Sequence, residues 1–195
     1  MRLETWIRGE DGLTAEPYWG GDCRPEGQAR VTAVNTSDGL GTKPLRELLS
    51  HWERLGAGRM APARADLRPA DIPRLLPHLL LLDVLQDAAD FRIRLIGTHV
   101  VNGLGADPTG RQLRELAEKS DENPLLHLAR RTVEMRVPNF LGYRRLRLEG
   151  RLVILSEALA LPLSDNGRDV DRILAGVSLI PRSNTGPLAA GALER

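Results

Sequence analysis

The segment from Met60 to Leu85 constrains the fold of this chain more than any other. Its first part carries prolines at 62, 69, 73 and 77, and its second part is an apolar run that begins at Leu79. A proline fixes the backbone near the helical φ but cannot donate to a preceding turn, so it starts helical turns and keeps them short. The segment therefore predicts short helical turns that lead directly into a buried strand.

Composition limits the chain to one globular domain without a membrane segment. It has 195 residues, of which 42% are hydrophobic and 27% charged, in the range of ordinary globular domains. No apolar run approaches the roughly 18 to 20 residues of a membrane span, and the first eight residues carry too many charges for a signal peptide. A single cysteine, Cys23, excludes an internal disulfide. We expect a cytoplasmic protein with no membrane partner.

The two ends of the chain differ in character from its middle. Residues 1–41 and 182–195 are rich in glycine, proline and polar residues and show no sustained period, so we expect disordered tails around one domain at 42–181. At the start of that domain, the Thr42 hydroxyl can cap a helix that has Pro44 in its first turn. Apolar residues then recur at spacings of three and four, at Leu45, Leu48, Leu49, Trp52 and Leu55.

The remaining pattern predicts strands that flank a group of helices. Leu79 to Leu85 is apolar, and the alternation of Phe91, Ile93 and Leu95 with arginines predicts its hairpin partner, with one solvated face. Asn123 before Pro124 is a start signal for a longer helix that Pro138 ends. Three further strands are predicted at 140–148, 152–163 and 170–180. Clustered strands with a helical insert indicate an α+β domain.

Three groups of residues carry a resemblance to a known family: the proline-rich run at 60–85, Arg94-Leu-Ile-Gly-Thr together with Asp107-Pro-Thr-Gly, and Leu161-Pro-Leu-Ser. With them the chain, from about Pro44 to Pro181, resembles a bacterial family of stand-alone PAS-like domains. The resemblance implies a five-stranded antiparallel sheet with the inserted helices on one face and an N-terminal flanking helix. It also implies a sensory role, because PAS domains commonly bind a small ligand between sheet and helices.

Three side chains are candidates for such a ligand site. His99 and Asn102 lie three residues apart on the short helix predicted after Gly97, so both can face the same side; they could equally be solvated or cap a helix end. Arg144 has the strand parity of Phe140 and Leu146, which points it toward the helices unless a bulge intervenes. A buried guanidinium needs a partner, either a ligand anion or a protein acid such as Asp83.

The sequence gives little support for catalysis, a metal site or a bound cofactor. The chain has no nucleophile elbow, P-loop or zinc-protease motif, and its four histidines are scattered, so we expect neither catalytic residues nor a metal. The position of His127 on the longer helix resembles that of the haem ligand in some PAS sensors, but a lone helical histidine does not favour haem. Flavin photochemistry of the PAS type needs a cysteine on the first inserted helix, whereas Cys23 lies in the tail. We expect no cofactor.

Two kinds of macromolecular contact remain. A basic patch could form from five arginines for nucleic acid, although a solvated face or a partner interface is favoured because stacking aromatics are scarce; the five are Arg130, Arg131, Arg145, Arg147 and Arg151. The first helix, with Trp52 on its apolar side, could pack on its own sheet or pair with a second copy. The resemblance favours a homodimer.

The sequence thus predicts a sensory or interaction module that acts in trans through protein partners, with a small ligand as an option and no catalysis of its own. One alternative is a small enzyme that uses the same cavity, for which His99 and Asp83 are the available acid and base. The other is a structural adaptor whose cavity is filled by side chains.

Overall fold

The computed structural model describes residues 31–33, 40–116, 123–142, 144–148 and 151–179. Their helices are α1 (Lys43–Gly56), α2 (Thr98–Leu104), α3 (Leu113–Leu116) and α4 (Pro124–Met135). Short 3₁₀ turns lie at Arg64–Asp66, Pro69–Asp71, Leu76–His78 and Gln86–Ala88. The strands are β1 (Val31–Ala33), β2 (Leu79–Leu85), β3 (Asp90–Ile96), β4 (Asn139–Leu141), β5 (Arg144–Leu148), β6 (Arg151–Leu163) and β7 (Arg172–Leu179).

All seven strands join one antiparallel sheet in the order β1-β4-β6-β7-β2-β3, with β5 also paired to β6. The predicted α+β class and the β2–β3 hairpin are confirmed. The expected count of five strands is too low for two reasons. The strand predicted at 140–148 is divided into β4 and β5, and Val31–Ala33 within the predicted N-terminal tail pairs with β4. The rest of 1–41, apart from Leu40 and Gly41, and all of 182–195 lie outside the described residues.

The sheet is covered on both faces. Helices α2, α3 and α4 pack on one face against a core that includes Leu80, Phe91 and Leu126. Helix α1 and the proline-rich turns pack on the opposite face, against side chains such as Leu159 and Leu174. This arrangement explains the uninterrupted apolar run at the start of β2, because successive residues there point into different cores and all are buried. The predicted turns and buried strand of the 60–85 segment are therefore confirmed.

Helix α1 packs closely on its own sheet rather than leaving its apolar side open. The Trp52 indole donates a hydrogen bond to the Pro162 carbonyl at 2.8 Å. At the closest approach the sheet carries Gly176, where a Cβ would lie 2.5 Å from Leu45 Cδ2 and 2.7 Å from Leu48 Cδ2. The apolar side of α1 therefore packs on its own sheet and is not left open for a second copy. A homodimer would have to use another surface.

The expected side-chain cap of α1 is wrong. Thr42 occupies the cap position, but its hydroxyl makes no cap hydrogen bond, and its Oγ1 is buried without a partner. Pro44 has no N–H group in the first turn. The backbone N–H groups just before the helix donate to a side chain of β6 instead. The two carboxylate oxygens of Glu157 accept hydrogen bonds from the backbone N–H groups of Gly41 and Thr42, each at 2.8 Å.

Two β-bulges change which face the side chains occupy. In the β2–β3 pair Leu81 lies opposite Leu95 but Leu82 lies opposite Ile93, so Arg94 is an extra residue. Leu95 was expected beside Phe91 and Ile93 in the core; the bulge turns it outward, and it is 47% exposed. A second bulge between Leu155 and Glu157 lets Leu155 face the α2–α4 side while Glu157 faces α1.

Helix α4 begins as the sequence predicts. The Asn123 side-chain oxygen accepts hydrogen bonds from the N–H groups of Leu125 and Leu126, at 3.0 and 3.4 Å. The helix ends at Met135, after which Arg136 adopts a left-handed conformation with φ of 57° before Pro138. The chain then returns to the sheet as β4.

Candidate functional site

In the part of the chain that the structure describes, the space between the sheet and helices α2–α4, where the resemblance places a ligand, is almost filled. The remaining cavity has a volume of about 30 Å³. Apolar side chains line it together with one polar residue, Asn123; the apolar ones are Leu80, Ile93, Val100, Leu104, Leu113, Leu116, Leu125, Leu155, Val177 and Leu179. A cavity of this size holds about one water molecule.

Asn123 is already occupied by structural hydrogen bonds. Besides accepting from the first turn of α4, its amide group donates to the Leu113 carbonyl at 3.0 Å and so ties α3 to α4. The side chain is buried. Its hydrogen bonds therefore hold two helices together, and a ligand that used this amide would compete with the helix cap.

The structure places His99 and Asn102 outside the lining of this cavity. His99 is half-buried on α2, against His78 of the turn before β2, with 4.3 Å between the ring centroids. Burial lowers the pKa of His99 below 6.5, and the neighbouring His78 lowers it further, while a hydrogen bond to the Leu179 backbone opposes the shift. Asn102 is exposed. Their role in ligand binding stays a prediction.

The third candidate, Arg144, has a described backbone but no described side chain. Its backbone lies on β5 and pairs with Leu155 of β6. The parity argument for it began at Phe140, which packs toward α1 rather than toward the inserted helices, and the strand is broken after Leu141. Asp83, the acid suggested as its partner, lies instead beside Arg94 at 3.3 Å and Arg172 at 3.5 Å. The direction of Arg144 stays a prediction.

The residues suggested for haem and for nucleic acid are not gathered at one described site. His127 and Arg131 are exposed on α4. Arg130 donates hydrogen bonds to the carbonyls of Ala88 and Ala89, at 3.3 and 2.6 Å, and thereby fastens α4 to the β2–β3 turn. The side chains of 145, 147 and 151 lie outside the described part. Among the described residues, no three His, Cys, Asp or Glu side chains are grouped to hold a metal ion.

A larger concave surface lies on the other side of the sheet and was not anticipated. We call it the α1 cleft; its volume is about 740 Å³. It runs between the polar side of α1 and the turn that follows the Pro69–Asp71 helix. Its lining residues are Lys43, Arg46, Glu47, Ser50, His51, Arg54, Asp71, Ile72, Pro73, Arg74 and Leu75. Four of these side chains are cationic and two are acidic, so the cleft carries a positive excess.

His51 is the buried polar group of the α1 cleft. It is 6% exposed, and its Nε2 has no hydrogen-bond partner. Its Nδ1 lies 3.3 Å from the Arg54 guanidinium, which can only donate, so Nδ1 accepts and the proton of the neutral ring is on Nε2. Burial lowers the pKa of His51, and Arg54 lowers it further while Asp71 opposes the shift. The lining of the cleft therefore includes a neutral imidazole whose Nε2–H is shielded from solvent and has no hydrogen-bond partner.

One sequence signal could have indicated this cleft. Its residues on α1 recur at spacings of three and four, from Lys43 to Arg54, on the side opposite the apolar stripe. Periodic charge on a helix normally indicates a solvated face. Only the fold shows that the proline-rich turn faces it.

Comparison with known proteins identifies the family of this chain. Within the described residues, no helix is both long and apolar enough to cross a membrane. No curated protein matches the chain. A solved structure, the PAS domain from Bordetella pertussis BvgS, is 17% identical with a TM-score of 0.33, over 57% of this chain and 86% of that one. A family profile described as PAS domain matches residues 41–178, which is most of the chain. The chain belongs to the PAS domain family.

Proposed function

We propose that this PAS domain is an interaction module that acts in trans on a protein partner through its surface, with no catalytic residues of its own. The observation that carries the proposal is the nearly filled space between sheet and helices among the described residues. Small-molecule sites in proteins usually have volumes of about 300 to 1,000 Å³, whereas the cavity here measures about 30 Å³. A ligand of ordinary size would have to separate α2–α4 from the sheet.

The lining of that cavity supports the same proposal. Sensor sites combine an apolar wall with a few polar groups that fix the ligand. Here the polar group is Asn123, and its amide already bonds Leu113, Leu125 and Leu126. Recognition at the surface needs no such rearrangement. Of the alternatives raised by the sequence, the filled cavity favours the adaptor over the ligand sensor.

The acid–base pair that the sequence offered for the enzyme alternative, His99 and Asp83, is not assembled. His99 contacts His78 and the Leu179 backbone, whereas the Asp83 carboxylate lies beside Arg94 and Arg172. A general base must lie within hydrogen-bond reach of the group it serves. The two residues are thus engaged separately, which supports a non-catalytic role. The cytoplasmic location expected from composition stays a prediction.

Native mass spectrometry of the gently purified full chain tests the proposal that the domain acts without a bound small ligand. We expect the native mass to equal the denatured mass, or a whole multiple of it. A retained small molecule would overturn the adaptor in favour of a ligand sensor. Cavity-filling Val100→Ile is the companion variant, since it occupies the remaining space and should leave partner binding unchanged.

The interaction part is tested by site-specific photo-crosslinking in the cells that produce the protein. A photoreactive residue replaces one exposed side chain at a time: Glu53 on α1, Arg74 at the α1 cleft, Leu95 on β3 and Glu134 on α4. We expect a discrete crosslinked protein from at least one position, and binding by that protein after both are purified. No crosslink from any of the four faces would overturn the proposal.

A further inference from the structure

The α1 cleft has the shape of an elongated groove rather than of a pocket for one ion. Its α1 residues run from Lys43 to Arg54, a distance of about 16 Å along a helix axis at 1.5 Å per residue. An extended peptide rises about 3.3 Å per residue, so the groove accommodates about five residues of a partner chain. The volume of about 740 Å³ is compatible with a segment of that length.

The cations of the cleft are distributed along it. Lys43 lies at one end, Arg54 at the other, and Arg74 projects from the facing turn. A site for a single phosphate gathers its donors at one point, often on the N–H groups at a helix start. Just before α1, the N–H groups of Gly41 and Thr42 are already bound by Glu157. Spaced cations favour a ligand with several negative charges along a chain.

One of these cations, Arg46, is held in place while some of its N–H donors stay available. One guanidinium nitrogen of Arg46 donates to the carbonyls of Leu40 and Gly41, at 2.7 and 2.8 Å. An arginine has five N–H donors, so others of Arg46 remain for a ligand while its position is held. A donor that is already fixed loses less conformational freedom on binding.

An independent feature indicates that an acceptor belongs here. His51 is buried in the lining of the cleft, yet its Nε2 has no hydrogen-bond partner. Buried polar groups are nearly always hydrogen-bonded, and one left without a partner destabilises the folded state. Because Nε2 is itself shielded from solvent, a carboxylate oxygen in the cleft would reach it only after the imidazole ring turned toward the cleft. The acid side chains of the cleft itself, Glu47 and Asp71, make no hydrogen bond to it.

We propose that the α1 cleft binds an acidic, carboxylate-bearing segment of the partner protein, with Arg54, Arg74 and His51 as its main donors. The inference rests on the proposed function, since it names the surface and the chemistry through which the module would act. Apolar support comes from Ile72 and Leu75 at the base of the facing turn, both of them buried. Arginine clusters commonly recognise acidic motifs in this way.

The test is a backbone-amide NMR titration of the ¹⁵N-labelled full chain with hexaglutamate at low salt. We expect shift changes concentrated at 43–54 and 71–75. The double variant R54Q/R74Q should weaken binding about fivefold or more. The matched control R92Q/R131Q removes the same charge from exposed arginines of β3 and α4, outside the cleft, and should bind like the unmodified chain.

Four results would overturn the inference. Hexaglutamate could cause no shift changes up to about 5 mM, or changes spread over the arginines of other faces. The control pair could weaken binding as much as the cleft pair, which would show attraction by net charge alone. Inorganic phosphate could produce the same shifts at lower concentration, which would make the cleft a phosphate site. None of these results affects the crosslinking expected from β3 or α4. The proposed function can therefore hold even where this inference fails.

Discussion

The imidazole rings of His78 and His99 contact each other in a tilted arrangement, with 4.3 Å between their centroids and planes inclined by 42°. His78 ends the last proline-set turn before β2, and His99 is in the first turn of α2. Gly97 makes the approach possible, because a Cβ there would collide with the backbone carbonyls of Leu76 and Pro77. The pair joins the proline-rich segment to the inserted helices.

This contact predicts that the fold loses stability below neutral pH. The pKa of His99 is lowered below 6.5 by burial and by His78, so the folded state disfavours its proton. Well above pH 6.5 the residue is neutral in both states and the full stability is present; as pH falls toward and below 6.5 the unfolded chain binds the proton first. The free energy of unfolding in urea should therefore decrease between about pH 7.5 and about pH 5.5.

His99→Gln identifies the residue responsible, because glutamine cannot titrate. Its unfolding free energy should depend less on pH over the same interval. Some dependence should persist, since burial and Arg54 lower the pKa of His51 as well. If the unfolding free energy of the variant depends on pH as strongly as that of the unmodified chain, His99 is not the source of the dependence.

The capping of α1 gives a second prediction, which distinguishes the observed acceptor, Glu157, from the expected one, Thr42. Glu157→Gln leaves one good acceptor where two carboxylate oxygens now bind Gly41 and Thr42, and it should lower the free energy of unfolding by about 1 kcal/mol. Thr42→Val removes a buried hydroxyl without a partner and should leave stability unchanged or raise it. Urea titration of both variants decides between them, and the reverse ranking would restore Thr42 as the cap.

Much of this fold could be predicted from short-range patterns. Asn123 with Pro124 marks the start of α4, and the apolar run from Leu79 with the alternation at Phe91 and Ile93 marks the hairpin. These signals are local: a cap bonds residues two or three positions away, and a strand alternates at every residue. The structure confirms each of them.

What the sequence did not predict depends on distant partners. The bulges at Arg94 and before Glu157 are matters of register between two strands, and register reverses the face of each following side chain. The capping of α1 by Glu157 joins residues more than a hundred positions apart. The α1 cleft likewise exists only because the turn at Asp71 faces α1. Neither periodicity nor composition contains such pairings.

Close packing of α1 on the sheet gives a third prediction. Gly176→Ala would place a methyl group 2.5 Å from Leu45 Cδ2 and 2.7 Å from Leu48 Cδ2, so α1 would have to shift. We expect a loss of about 1 to 3 kcal/mol in the free energy of unfolding. Gly142→Ala is the control, because the nearest atom to its new methyl group would be 3.7 Å away, on Phe140. Equal stability of the two variants would contradict the close approach.

The last prediction concerns His51, whose effect on the stability of the fold can be separated from its effect on binding. His51→Leu removes the partnerless Nε2 donor while filling similar space, so it should raise the free energy of unfolding by about 1 kcal/mol. The same variant should bind hexaglutamate more weakly, because the donor for the carboxylate is gone. His51→Gln keeps an N–H near the position of Nε2, so it should retain binding without the gain in stability. A leucine variant that is more stable and binds as tightly as the unmodified chain would show that the buried imidazole takes no part in recognition at the α1 cleft.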